Sequence, residues 1–375
     1  MGYDVKLFVP LYTAVWARGR VDDSNLPFEV IKIPFSGWSF NLFNLPRKMK
    51  EEVDKYKPDY VFLGDSAFLK PYLIDTFSRD YPVTSRFYTY ELICFKYYEY
   101  FRKGKKCQYN YLENPITCLF CSSVAMSERL FSLKLDLWSH EFIIGLGFLP
   151  HFHKKAISSL EKCKNIIVYN KPTGKLLEKY NSKIHVITGG VNMSDFPEIK
   201  RKVKKKDGKI RILMSGRADD QRKGLYTLIK AGEILWGKRK DFEICVTIQG
   251  DFKEEFIHPL GWLTHKELRE EYKKADLVIV PSIWEEPFGI VAVEAGALSL
   301  PVISTRVGGL QEIVEDGKTG FVIQPNDEKT LAEKIDFFLD NRKSLVNMGI
   351  AGRERVKNLY DWDDIVSKNY PQIFS

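Results

Sequence analysis

Two glutamates with seven residues between them, Glu286 and Glu294, frame the segment of the chain best equipped for chemistry. They lie in Pro281-Ser-Ile-Trp-Glu-Glu-Pro-Phe-Gly-Ile-Val-Ala-Val-Glu294. An apolar run precedes this segment and predicts a strand over residues 276–281. A helix is predicted over 287–297. At about 3.6 residues per turn, Glu286 falls in the loop and Glu294 about two turns inside the helix. Pro287 and Gly289 mark the helix start, whose first N–H groups have no partner within the helix. Such an N-terminus attracts phosphate. The N–H groups around Phe288, Gly289 and Ile290 would take a diphosphate, and the two carboxylates would accept hydroxyl protons from sugar and ribose. Two solvated glutamates at a buried helix start would give the same string, since this spacing is common.

A second group of residues lies upstream. A strand over 210–216 ends at Ser215-Gly216-Arg217, and a short loop leads to Lys223-Gly224. Arg217 and Lys223 can neutralise a diphosphate while Gly216 lets the backbone approach it. A P-loop is excluded, because no G-x-x-x-x-G-K-[ST] occurs. Taken alone, the two cations would be ordinary exposed loop residues.

The order of strand, Ser-Ile-Trp-Glu-Glu-Pro-Phe-Gly, helix and Leu300-Pro-Val-Ile-Ser-Thr-Arg-Val-Gly-Gly309 resembles the donor half of retaining GT-B glycosyltransferases of family four, the group 1 glycosyl transferases. The Gly216-Arg217 … Lys223-Gly224 pair resembles the same family's diphosphate element. The resemblance implies that Glu286 orients the donor sugar and that Glu294 holds the ribose. Arg217 and Lys223 would stabilise the departing diphosphate. Front-face transfer is implied, in which the leaving phosphate helps deprotonate the acceptor, so neither a protein nucleophile nor a catalytic metal or cofactor is required. The stretch 261–268 would border the nucleobase through backbone atoms. His265 is expected to be a surface residue at a helix start. Residues 188–197 match the family's end-of-domain turn, and 312–320 its closing turn. Two departures stand out. The chain opens at what resembles the family's second strand, which implies either a late start or a trimmed acceptor domain. Tyr88 also stands where many relatives place a histidine. It can donate to a sugar hydroxyl, but with an ordinary pKa of about 10 it is a poor base.

The elements that must position these residues alternate between strand and helix. Strands are predicted near 4–10, 28–34, 60–64, 83–90, 165–170, 184–188, 242–250 and 302–304. Helical spacing runs over 45–56, 225–236, 266–274 and 329–339. This alternation predicts α/β architecture with parallel sheets. The expected fold is GT-B: two doubly wound, Rossmann-like domains facing a cleft, with ligands at the carboxyl ends of the strands. The boundary is put at the basic, aperiodic segment 200–209, read as a solvated linker. The expected domains are 1–202 on the acceptor side, 203–360 for the donor, and a C-terminal helix over 361–375 packing back on the first. In Asp361-Trp-Asp363 a helix cap is expected rather than a metal motif.

At 375 residues the chain can hold two cores. Its formal net charge of +8 suits an anionic substrate or an anionic membrane surface. No nucleic-acid motif is found. No run of 18 apolar residues occurs, the start lacks a signal-peptide layout, and Lys6 disfavours myristoylation. A cytoplasmic protein is expected, peripheral at most to the membrane face. The aromatic and basic stretch 95–106 could rest on anionic headgroups or pack as an ordinary helix with a solvated basic end.

Six cysteines occur, at Cys94, Cys107, Cys118, Cys121, Cys163 and Cys245. The first four could hold a structural zinc through thiolates. Reduced, unliganded thiols or disulfides are the alternatives. The expected function is transfer of a sugar from a UDP-, GDP- or ADP-sugar to a glycan or lipid-linked acceptor. A non-catalytic nucleotide-sugar-binding partner subunit and a sugar-nucleotide epimerase are the rivals.

Overall fold

The computed structural model describes residues 2–12, 26–64, 68–96, 100–102, 105–131, 137–204 and 208–374. The chain divides into two units, Met1–Tyr100 with Cys107–Val186 and Gln372–Ser375, and Phe101–Lys106 with Ile187–Pro371. The division falls after Val186, so the turn at 188–197 and the described part of the basic segment belong to the second unit.

In the first unit, β1 (Lys6–Tyr12) and β2 (Glu29–Phe35) form a parallel pair. Strands β3 (Val61–Leu63) and β4 (Val83–Arg86) follow. A short antiparallel hairpin, β5 (Phe101–Arg102) and β6 (Lys105–Lys106), counts with the second unit. With β7 (Asn165–Val168) and β8 (Ile184–Val186), a four-stranded parallel sheet of order β3-β4-β7-β8 is complete. Helices α1 (Asn44–Tyr56), α2 (Lys70–Phe77), α3 (Pro115–Phe131), α4 (Leu137–Ile144), α5 (Pro150–Lys162) and α6 (Lys171–Leu177) intervene. Helix α1 follows from Leu45, Met49 and Val53, which recur every fourth residue and are buried. It stops at Lys57, whose left-handed backbone donates to the Val53 carbonyl. The core is strongly aromatic. Phe95 stacks on Tyr111 with ring centroids 3.5 Å apart, and Phe68, Phe142 and Phe152 surround them. Of the aromatic stretch read either as a headgroup-facing surface or as ordinary packing, Phe95 and Tyr100 are core residues. Residues 97–99 and 103–104 lie outside the described residues.

The second unit contains β9 (Ile210–Met214), β10 (Phe242–Val246), β11 (Ile257–Pro259), β12 (Leu277–Val280), β13 (Val302–Thr305) and β14 (Gly320–Ile323). They form one parallel sheet of order β11-β10-β9-β12-β13-β14. Every residue of β12 is buried, which explains its unbroken Leu-Val-Ile-Val run: a parallel strand is covered on both faces. Each such side chain stabilises the fold by roughly 1.5–3 kcal/mol. Helices α7 (Leu225–Trp236), α8 (His265–Lys274), α9 (Ile290–Ala297), α10 (Leu310–Ile313), α11 (Glu328–Asp340), α12 (Arg342–Leu359), α13 (Trp362–Asn369) and α14 (Pro371–Phe374) complete the chain. A capping box starts α8: Thr264 accepts from the Glu267 N–H, and the Glu267 carboxylate accepts from the Thr264 N–H. Asp361 caps α13 by accepting from the Asp363 N–H, as its sequence suggested. That helix counts with the second unit, and only the residues from Gln372 on count with the first. No helix among the described residues is long and apolar enough to cross a membrane.

Helix α9 starts at Ile290, three residues later than the spacing predicts. Gly289 has φ +116°, which no helical residue adopts. Glu294 is consequently about one turn inside the helix rather than two.

Candidate functional site

The loop between β12 and α9 carries Glu286, whose side chain is buried. One of its oxygens, Oε1, accepts from Ser282 Oγ at 2.7 Å and from Lys223 Nζ at 2.6 Å. Lys223 ends a single helical turn, Gln221–Lys223, in the loop after β9. Asp220 caps that turn and also binds the Arg222 guanidinium. Burial alone would raise the Asp220 carboxyl, but Arg222 outweighs it and holds the group below the usual carboxylate range. The two loops are tied together, because the Ile283 N–H donates to the Arg222 carbonyl at 2.8 Å. Gly224 makes this approach feasible. Its φ is +79°, and a Cβ there would lie 1.9 Å from the Pro281 carbonyl oxygen. The Arg222 and Lys223 cations each lie 5.3 Å from the centre of the Trp284 ring.

Arg217 extends into solvent with its side chain 64% exposed, and its nearest carboxylate is Asp219 at 3.8 Å. Gly216 beside it has φ +97° and an almost open flank. The start of α9 has no side-chain cap. Phe288 packs its ring against Gly189 and Tyr360, so at the helix start it contributes backbone rather than side chain. Ile290 is 42% exposed. The Gly309 N–H donates to the Glu286 carbonyl at 2.7 Å, and the Gly308 N–H donates to the neighbouring Glu285 carboxylate at 3.2 Å. Glu294 accepts from the Tyr272 hydroxyl at 3.1 Å, and that hydroxyl lies 2.7 Å from Ser215 Oγ. Burial pushes the Glu294 carboxyl above its usual range, against the Tyr272 hydrogen bond and the charges of His265 and Arg269. His265 is exposed at the first position of α8, as expected.

Strands β9 and β12 thus bring Gly216, Arg217, Lys223, Glu286, Phe288, Gly289, Ile290 and Glu294 into one unit, on the loops and helix start that follow their carboxyl ends. Such an arrangement suits an anion flanked by hydroxyls. Ser282, Trp284, Tyr272 and Ser215 also line this arrangement, and the sequence motifs assign them no role. Ser282 could have been suspected from standing four residues before Glu286. Nothing in the string of α8 distinguishes Tyr272 from a core position.

Tyr88 belongs to the other unit, two residues beyond the end of β4. Its ring lies 5.8 Å from that of Tyr169, and it is 37% exposed. The Tyr88 N–H donates to Glu91 Oε1 at 3.2 Å. The other Glu91 oxygen holds the buried Lys70 ammonium, which also donates to the Arg86 carbonyl at 2.8 Å. This buried ion pair pins the loop that carries Tyr88.

The four cysteines proposed as a zinc set are not gathered. Among the described residues, no three His, Cys, Asp or Glu side chains come together in a way that could hold a metal ion. Cys94 is buried and its thiol donates to the Lys96 carbonyl, while Cys107, Cys118 and Cys121 are half-buried. None of the six cysteines forms a disulfide.

Comparison with known proteins gives this geometry a context. Residues 195–355 match the family model "Glycosyl transferases group 1". An uncharacterised glycosyltransferase of Methanocaldococcus jannaschii is 30% identical over 241 residues, covering 56% of this chain and 60% of its own. A D-inositol 3-phosphate glycosyltransferase of Pseudarthrobacter chlorophenolicus is 29% identical over 197 residues, covering 47% and 46%. The chain therefore spans about half of the length of these curated relatives. Among solved structures, sucrose-phosphate synthase from Thermosynechococcus elongatus superposes with a TM-score of 0.65 and 20% identity, covering 100% of this chain and 90% of its own. Anabaena HepE, solved with UDP and glucose, superposes with a TM-score of 0.62 and 14% identity, covering 92% and 86%. The expected fold class holds: parallel α/β architecture with GT-B glycosyltransferases as structural neighbours.

Proposed function

We propose that this chain is a retaining glycosyltransferase. It moves a sugar from a nucleoside-diphosphate donor to a hydroxyl of a glycan or lipid-linked acceptor, with no catalytic metal. The observation that carries the proposal is the 2.6 Å bond between Lys223 and Glu286 beside the uncapped start of α9. The group 1 match and the glycosyltransferase relatives support it.

The chemistry follows from these side chains. The donor diphosphate exchanges for Glu286 as the partner of the Lys223 ammonium, and Arg217 swings from solvent onto the second phosphate. Glu286 then accepts hydroxyl protons of the donor sugar, and Glu294 accepts those of the ribose. The bond from the anomeric carbon to the diphosphate oxygen breaks as the acceptor oxygen bonds to the same face. The acceptor proton passes to the departing phosphate oxygen, so the anomeric configuration is retained. Negative charge grows on the diphosphate in the transition state, where the two cations and the α9 N–H groups stabilise it most.

The test is incubation with UDP-, GDP- and ADP-sugars together with candidate acceptors, measuring release of the nucleoside diphosphate. One donor should turn over, and Lys223→Ala should cut kcat/KM by roughly 100- to 1000-fold, the usual loss for one transition-state donor. Unchanged turnover in that variant would sink the assignment. Binding without release would make the chain a nucleotide-sugar-binding partner subunit, and a changed sugar without acceptor would make it an epimerase.

A further inference from the structure

Tyr272 lies on α8, away in sequence from both the end of β9 and helix α9, yet its hydroxyl joins them. It is within 2.7 Å of Ser215 Oγ and 3.1 Å of Glu294 Oε2. Ser215 is the residue immediately before Gly216-Arg217. The phenol is almost wholly buried, and burial together with the Glu294 charge keeps its proton on. It has a single proton to give, and an ionised carboxylate is a stronger acceptor than a hydroxyl. Tyr272 therefore donates to Glu294, and Ser215 donates to Tyr272. Each bond polarises the next toward the carboxylate. Glu294 Oε2 is thereby committed to the protein. Among the described residues, no donor is bonded to Oε1, which keeps its lone pairs for a ligand.

We propose that Tyr272 is a positioning residue: it aims the Glu294 carboxylate at the ribose hydroxyls of the donor and ties that carboxylate, through Ser215, to the loop that meets the diphosphate. The proposal rests on the donor-site assignment made above. It gives the buried tyrosine a role in ligand affinity beyond filling space between α8, β9 and α9. A tyrosine that only filled space would be replaced by phenylalanine with no effect on how the protein senses ribose.

The experiment is a cycle of four affinities. UDP, GDP and ADP, and their 2′,3′-dideoxy counterparts, are titrated against the unaltered protein and against Tyr272→Phe, which keeps the ring. In the unaltered protein, loss of the ribose hydroxyls should weaken the bound nucleotide about tenfold or more, as expected for hydrogen bonds to a charged group. In Tyr272→Phe the same deletion should cost only about threefold or less, because a loose carboxylate rewards the hydroxyls less. Ser215→Ala, which leaves the Tyr272–Glu294 bond in place, should fall between the two and guards against a folding defect in the first variant. An equal ribose penalty in the unaltered protein and in both variants overturns the role of Tyr272 and leaves the donor site standing. Equal affinity for ribose and dideoxyribose forms in the unaltered protein overturns the role of Glu294 and, with it, that of Tyr272. If none of the three diphosphates binds the unaltered protein, the functional assignment itself fails.

Discussion

At the residue scale, the site pairs two carboxylates that are held differently. Glu286 is neutralised by Lys223 and bonded by Ser282, so its charge is balanced within the protein. Glu294 faces a buried tyrosine, and burial raises its carboxyl above the usual range. A raised carboxyl is protonated at a pH where ordinary carboxylates are still ionised, and a protonated Glu294 accepts ribose hydroxyls poorly. Donor affinity should therefore decline as pH falls through that raised value and be fully present above it. Glu294→Gln should bind donor roughly 10- to 100-fold more weakly, the usual worth of a hydrogen bond to a charged group. It should also lose this acid limb. Tyr272, His265 and Arg269 all face the same carboxylate, and His265→Gln separates the contribution of the histidine. Isothermal titration from pH 4 to 8 checks the point, and an acid limb that survives in Glu294→Gln would refute it. Both glutamates stood out in the sequence, because their spacing around a helix start is visible in one dimension. Tyr272 did not, because it meets Glu294 only when α8 and α9 pack on the same sheet.

At the element scale, short charged links fasten helices to one another. Asp75 on α2 accepts from Lys155 at 2.8 Å and also binds Lys162, both on α5. Burial alone would raise the Asp75 carboxyl, but the two ammonium groups outweigh it and bring it down to about 2, from an ordinary 3.8. A depressed carboxyl favours the fold above its unfolded value and loses that advantage as acid protonates it. The link should thus contribute fully above about pH 4 and vanish as pH approaches 2. The shift corresponds to about 2 kcal/mol. Asp75→Asn should destabilise the protein by that order at neutral pH and flatten the dependence between pH 4 and 2, measured by urea unfolding. Element boundaries show where sequence reasoning stops. The run Leu277–Val280 is legible as a strand because burial on both faces demands apolar residues throughout. The start of α9 is not, since the left-handed backbone of Gly289 belongs to the way the loop packs against Leu310.

At the scale of the molecule, the two units have separate hydrophobic cores, and the candidate donor residues all belong to the second. A nucleoside diphosphate should therefore act on one unit. At about 100 times its Kd, it should stabilise that unit by about 2.7 kcal/mol. Hydrogen exchange read by mass spectrometry should show new protection in β9, β12 and α9, with β3, β4 and β7 unchanged. Protection confined to the first unit would move the donor site there.

What the sequence by itself determined is the alternation of parallel strands and helices, the two carboxylates around a helix start, and the cations upstream of them. Each of these is written in local spacing, because periodicity, caps and loop residues act over a few positions. The tertiary structure alone decided which partners those groups have. Lys223 reaches Glu286 from 63 residues away, and Tyr272 reaches Glu294 from 22. Among the described residues it also leaves the clustered cysteines outside any group of three metal-ligating side chains, although they are close in sequence. Nearness along the chain sets neither side-chain direction nor burial. Hydrogen bonds and ion pairs act over about 3 Å, and only the packing of α8, α9 and the two loops on one sheet brings those atoms within that range.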